Sequence, residues 1–151
     1  MPGEARVTQR PRLIALLLIG CAFVATRAPL AWLADHPGAY GPPDTKVTGD
    51  VELYDHWADA LTAGGASAYS EIRIEYPPGS LPFVVAPKLW QEAGGDYRVG
   101  LIALMLLMDA AGLAGALFCS RGGGRLLGAW LWLVAIPALG PLSLLRLDLI
   151  P

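Results

Sequence analysis

"VGLIALMLLMDAAGLAGALFC", residues 99–119, decides the fold. It carries a single charge, Asp109, in an otherwise apolar run. A helix needs about 20 mostly apolar residues to cross the hydrocarbon core of a bilayer, and this run has that length. A carboxylate at such depth is costly, and by default it is functional or pairs helices. Asp109 is therefore expected to face inward, bonded to a neighbouring helix. Ala111 with Gly115, and Gly112 with Ala116, are small-xxx-small pairs that permit close helix packing.

Two further segments have comparable length. Residues 13–34 form the first, with Arg27 and Pro29 near the far end, and residues 126–145 the third, with Pro137 and Pro141 in the last two turns. Proline is tolerated in a span where neighbouring groups take up the freed carbonyls. Composition agrees: 54% of the 151 residues are apolar, 16% are charged, and the mean hydropathy is +0.47. These values lie on the membrane side of globular averages. Cys21 and Cys119 sit inside apolar runs without metal-like spacing.

Charge distribution gives an orientation. Arg6, Arg10 and Arg12 precede the first span, and Arg121 and Arg125 lie in "SRGGGR" between the second and third. Both flanks are expected on the cytoplasmic side. The intervening stretch, residues 35–98, has ten acids against four bases and is thus six negative. It is expected outside, as is "RLDLIP", residues 146–151. The expected fold is an all-α membrane protein: three transmembrane helices and a long extracytoplasmic loop holding amphipathic and interfacial helices. Its parts are a basic cytoplasmic start at 1–12, spans at 13–34, 99–119 and 126–145, a cytoplasmic connection at 120–125 and an outer end at 146–151. Two rivals concern the first span. "LIGC", residues 18–21, resembles a lipobox, but the residues after Cys21 stay apolar where lipoproteins turn polar. A cleaved signal peptide ending near Ala25 or Ala28 would have an unusually long apolar core. An uncleaved span is the preferred reading.

Within the outer stretch, "DHPGAYGPPDTKVTG", residues 35–49, reads as loop. "DVELYDHWADALTAGG", residues 50–65, reads as an amphipathic helix, with Val51, Tyr54, Trp57, Ala58 and Leu61 on one face. Asp50 is placed to cap its start, and Gly64 and Gly65 to stop it. "ASAYSEIRI", residues 66–74, reads as irregular. Tyr76-Pro77-Pro78-Gly79 then forces a turn, since a residue before proline is pushed to extended geometry. "LPFVVAPKLW", residues 81–90, is too short to span and fits an interfacial or re-entrant piece.

The candidate chemistry lies mostly outside. Asp50 reads as an N-cap or as a carboxylate base at the membrane surface, and spacing favours the cap. Glu52, Asp55, His56 and Asp59 have i, i+4 spacing for a cation, but one helix offers too few converging ligands for a closed site, and a solvated face is preferred. Glu75 is either a loop charge or a substrate contact. Arg146 and Asp148 form either an interfacial anchor pair or, through the arginine, a grip on a lipid-linked phosphate.

Taken in order, the Arg-flanked first span, "DVELYDHWADAL", Tyr69, "YPPGSLPFVVAP" and "RLDLIP" form a pattern. The chain resembles the amino-terminal part of polytopic membrane glycosyltransferases of the C-type superfamily, in particular the family 87 mannosyltransferase-like proteins of actinobacteria. Asp50, Tyr54, Tyr76, Pro77, Pro78, Arg146 and Asp148 match positions that recur there. The resemblance implies transfer of a sugar, often mannose, from a polyprenyl-phosphate carrier to a glycan or glycolipid on the outer leaflet, with inversion. It implies Asp50 as general base, with Tyr54, Tyr76, Arg146 and Asp148 around the substrate. Glu75 ranks below Asp50 as an acceptor contact. The lipid-linked sugar is a substrate and not a cofactor. A divalent cation is compatible with the chemistry, and no residue is assigned to one. Membrane lipid and further membrane helices, or a remaining carboxy-terminal part, are the expected partners; nucleic acid is not. Family members are several times longer, so the chain is expected to be a fragment or a truncated reading frame. The rival reading is a non-catalytic membrane subunit that binds lipid or a partner membrane protein.

Overall fold

The computed structural model describes residues 9–40, 45–63, 67–119 and 126–147. Among these residues six α-helices follow in order: α1 (Gln9–Asp35), α2 (Thr45–Thr62), α3 (Leu81–Glu92), α4 (Tyr97–Cys119), α5 (Leu127–Ala138) and α6 (Leu142–Leu145). Short 3-10 turns lie at Pro37–Tyr40 and Pro78–Ser80. The chain is all-helical, with no strand among the described residues and a single isolated bridge between Ala68 and Ile72.

Two of these helices are long and apolar enough to cross a membrane, α1 from Leu13 and α4 along its whole length. Their outward faces are as apolar as their inward ones. Leu13, Leu17, Val24, Leu107 and Phe118 are all more than half exposed. A soluble monomer rarely presents so continuous an apolar surface to water. The inward faces follow helical spacing. Leu101, Met105, Asp109 and Leu113 repeat every four residues along α4, as do Leu30 and Ala34 at the end of α1.

The third apolar segment differs from the expected continuous helix. α5 ends at Ala138, a turn follows at 139–141, and α6 resumes for one turn. Pro137 has no N–H to give to the Leu133 carbonyl, and Gly140 adopts φ +63°, a left-handed geometry that ends helices. The segment nonetheless runs antiparallel beside α4. Its start, through Leu126, Ala129 and Leu133, packs on Leu113 and Leu117. Its end, through Leu144, Leu145 and Leu147, joins the cluster holding Leu101 and Met105.

α2 and α3 cover one end of this bundle. Val51, Tyr54, Trp57 and Ala58 of α2 are buried against Val84, Tyr97 and the Leu144–Leu147 stretch. The expected amphipathic face is therefore correct, but its partner is protein. The helix begins five residues earlier than expected, at Thr45. Gly49, which reads as a break, costs only about 1 kcal/mol inside a helix, and the packed face beyond it offsets that. Its expected stop, Gly64 and Gly65, lies outside the described residues. The 81–90 segment is the helix α3, entered from Pro77 at φ −64° and ψ 158°. It packs along α4, with Gly100 close beneath Pro87. Lys88 of α3 ties it to Asp59 and Asp55 of α2.

Candidate functional site

Two polar constellations stand out, one at each level of the bundle. The outer one is built on α2. Asp50 is not the N-cap that its spacing suggests, because it is the sixth helical residue. Its carboxylate is thus not engaged by the free N–H groups of the first turn. Instead Asp50 Oδ2 lies 3.2 Å from Arg146 Nε, just past α6. Both side chains are partly exposed, at 32% and 45%, so the pair contributes about 1 kcal/mol or less to stability.

Tyr54 lies one turn further along the same face and is 1% exposed. Its hydroxyl is 2.8 Å from that of Tyr76, and the Leu147 main chain also hydrogen-bonds it. Burial above all, then the Tyr76 hydroxyl, pushes the Tyr54 pKa well up, so the group stays a neutral phenol. Tyr76 stands edge-on to both Tyr54 and Trp57, with centroids 5.8 and 6.3 Å apart. Tyr69 donates from its hydroxyl to the Tyr76 carbonyl at 2.9 Å. The Tyr69 backbone is left-handed at φ 71°, a conformation that costs a non-glycine residue about 1–3 kcal/mol. Turn contacts hold it there, including its N–H to the Ile72 carbonyl at 3.1 Å.

The fold thus brings together four of the six expected site residues: Asp50, Tyr54, Tyr76 and Arg146. Glu75, next to Tyr76 in the chain, is exposed. Asp148 lies outside the described residues. Asp55 and Asp59 face Lys88, while Glu52 and His56 point to solvent. The Asp59 carboxylate, foremost, holds the Lys88 ammonium above its usual range.

The inner constellation joins all three apolar segments. Arg27 of α1 is 2% exposed. Its Nε donates to Asp109 Oδ2 at 2.8 Å, and one terminal nitrogen reaches Asp109 Oδ1 at 3.3 Å. That nitrogen also donates to the Trp132 carbonyl at 3.3 Å. The other donates to the Leu133 carbonyl and to Thr26 Oγ1, both at 2.9 Å. All five guanidinium hydrogens are used. Trp132 Nε1 closes the ring by donating to Asp109 Oδ1 at 2.6 Å. The Leu133 carbonyl is free for Arg27 because Pro137, four residues on, has no N–H to offer it. Arg27 lies eight residues from the end of α1, and Asp109 twelve from the start of α4, roughly 12 and 18 Å along the axes.

Asp109 is bonded inward as its position in the sequence predicts. Its partner is Arg27. In the sequence Arg27 reads only as a charge near the far end of the first span, and only the assembled bundle shows the two charges meeting. The signal available in the sequence is that each apolar segment carries one element of the network: a cation, an anion, and a proline that frees a carbonyl. Chemically this cluster is saturated and holds the helices together, whereas the outer cluster has exposed groups free to exchange partners. Comparison with family models, with curated proteins and with solved structures finds no match to this chain.

Proposed function

We propose that this chain supplies the outer acid and the phosphate-binding cation of a membrane glycosyltransferase. The donor is a polyprenyl-phosphate sugar, the sugar is mannose, and the acceptor is a glycan or glycolipid hydroxyl on the outer leaflet. The observation that carries this reading is the Asp50–Arg146 contact at 3.2 Å, made between elements nearly a hundred residues apart in sequence.

In this reading α1, α4 and the α5–α6 segment cross the membrane, with the amino terminus cytoplasmic and α2 and α3 outside. The antiparallel run of α5–α6 beside α4 supports the third crossing. Arg146 is half exposed and forked, suited to a phosphate oxygen pair. When a lipid phosphate takes Arg146, Asp50 loses its cation and regains its lone pairs. Asp50 then accepts the proton of the acceptor hydroxyl as the acceptor oxygen attacks the anomeric carbon. The bond from that carbon to the phosphate oxygen breaks, and Arg146 stabilises the charge that collects on the leaving phosphate. Tyr54, through Leu147, fixes the main chain beside Arg146. Glu75, exposed and next to Tyr76 in the chain, is assigned to acceptor contact.

The test uses the chain reconstituted in membrane nanodiscs with mannosyl-polyprenyl phosphate. Binding is expected to weaken about tenfold or more in Arg146→Ala, a loss in the range of a charge-assisted hydrogen bond. Asp50→Asn should bind the donor as well as wild type and transfer no sugar. A wild-type chain that neither binds nor transfers refutes the proposal. The non-catalytic reading then gains ground from the outward-facing Ala111 and Gly115 on α4, which offer a close-packing face to another helix.

A further inference from the structure

Beside Asp109 the bundle is not filled. A cavity of about 260 Å³ lies between α4 and the broken third segment, lined by Met105, Met108 and Gly112 on one side and Trp132, Ile136 and Ser143 on the other. It exists because the chain turns at 139–141 where a straight helix would close on α4. Its polar groups are already satisfied. Asp109 holds Arg27 and Trp132 Nε1, and Ser143 Oγ donates to the Gly140 carbonyl at 2.7 Å. A polar guest would find no partner, so the cavity selects hydrocarbon. The two methionines suit it to a flexible chain, because their unbranched thioethers adapt to irregular shapes.

Its size and position narrow the guest. An apolar cavity of about 150 Å³ takes up benzene, so this one holds roughly ten carbons. Ser143 on its wall is three residues before Arg146, at most about 10 Å of chain. A lipid with its phosphate on Arg146 therefore reaches the cavity with the first carbons of its tail. We propose that the cavity seats the phosphate-proximal two isoprene units of the lipid-linked donor. The assignment of the head group rests on the function proposed above; the assignment of the tail rests on the cavity.

The experiment measures binding of dimethylallyl, geranyl and farnesyl monophosphates, with one, two and three isoprene units, to the full chain in nanodiscs, less the signal of empty discs. Affinity should rise about tenfold or more from one unit to two, a conservative figure for burying five carbons. The third unit should add little. Met108→Trp fills the cavity from α4 and should abolish the gain, while binding of inorganic phosphate, which has no tail, stays dependent on Arg146 and unchanged. Ile136→Trp fills it from α5 and gives the same readout if the first variant does not assemble. A second-unit gain that survives both fillings overturns the tail assignment, even with binding still dependent on Arg146. A gain abolished by filling but indifferent to Arg146→Ala keeps a hydrocarbon site and overturns its link to the donor. No binding of any isoprenoid phosphate overturns both proposals.

Discussion

Removing Arg27 should cost this protein more stability than any other single polar substitution. In Arg27→Met, Asp109 keeps the Trp132 N–H among the described residues, and the Leu133 carbonyl loses its Arg27 donor. Breaking a buried ion pair from one side costs about 3–5 kcal/mol, because the remaining charge is buried unpaired. A second route gives a similar figure. Five arginine hydrogen bonds at the average of about 0.6 kcal/mol for bonds inside membranes come to roughly 3 kcal/mol. Asp109→Leu should cost a comparable amount by stranding the guanidinium. The double variant Arg27→Met/Asp109→Leu removes both charges and should lie within about 1 kcal/mol of wild type, since a buried pair replaced by apolar groups is often neutral. Equilibrium unfolding in mixed micelles, run on the four proteins as a double-mutant cycle, measures the coupling. A double variant whose loss equals the sum of the two singles would show no coupling. It would refute the reasoning, as would single variants within about 0.5 kcal/mol of wild type. Arg27→Lys sharpens the point. Its ammonium has three donors and no fork, and it should recover less than half of the loss.

Three other outcomes follow from the same geometry. Pro137→Ala restores an N–H four residues after Leu133, which competes with Arg27 for that carbonyl; helix content should rise in circular dichroism while the Arg27–Asp109 coupling energy falls. Gly112→Ala drives a Cβ into the Trp132 ring, so the indole must move off Asp109; we expect a loss of about 1–3 kcal/mol from overpacking and a shift in tryptophan emission. Burial and the Tyr76 hydroxyl raise the Tyr54 pKa above its ordinary 10.0. The folded state therefore holds this proton more tightly than the unfolded state, so its contribution is complete below about pH 10 and is lost as pH rises from there toward the folded value. Stability should fall by up to about 1.4 kcal/mol per pH unit in that window, and Tyr54→Phe should remove that share of the slope in alkaline unfolding.

What the sequence reveals here is what local pattern controls. The run at 99–119 and the face made by Val51, Tyr54, Trp57 and Ala58 are periodic, and both emerge where expected. The start of α2 is not legible locally because Gly49 weakens a helix, whereas the tertiary contacts of the next two turns decide whether it forms. The third segment reads as continuous because its composition is apolar throughout. Its break depends on where Gly140 and Pro141 fall relative to the neighbour, which hydropathy does not record. Asp50 and Arg146 were each legible as chemistry. Their contact was not, because it needs both the earlier start of α2 and the turn after α5.

The break in the third segment bears on how the two polar clusters relate. The α5–α6 segment is anchored twice. Arg27 holds its inner part at the Trp132 and Leu133 carbonyls, and the apolar cluster around Tyr54 and Trp57 holds Leu144, Leu145 and Leu147 at its outer end. A straight helix would lay both anchors out at 1.5 Å per residue with a fixed rotation of 100° between neighbours. The turn at 139–141 frees the outer end from that register. It lets Arg146 meet Asp50 while Leu133 still meets Arg27. The same freedom opens the cavity, since the chain that departs from α4 at Gly140 cannot also fill the space beside Met105 and Met108. One proline and one glycine therefore account together for the carbonyl that Arg27 occupies, the position of Arg146 and the space beneath it.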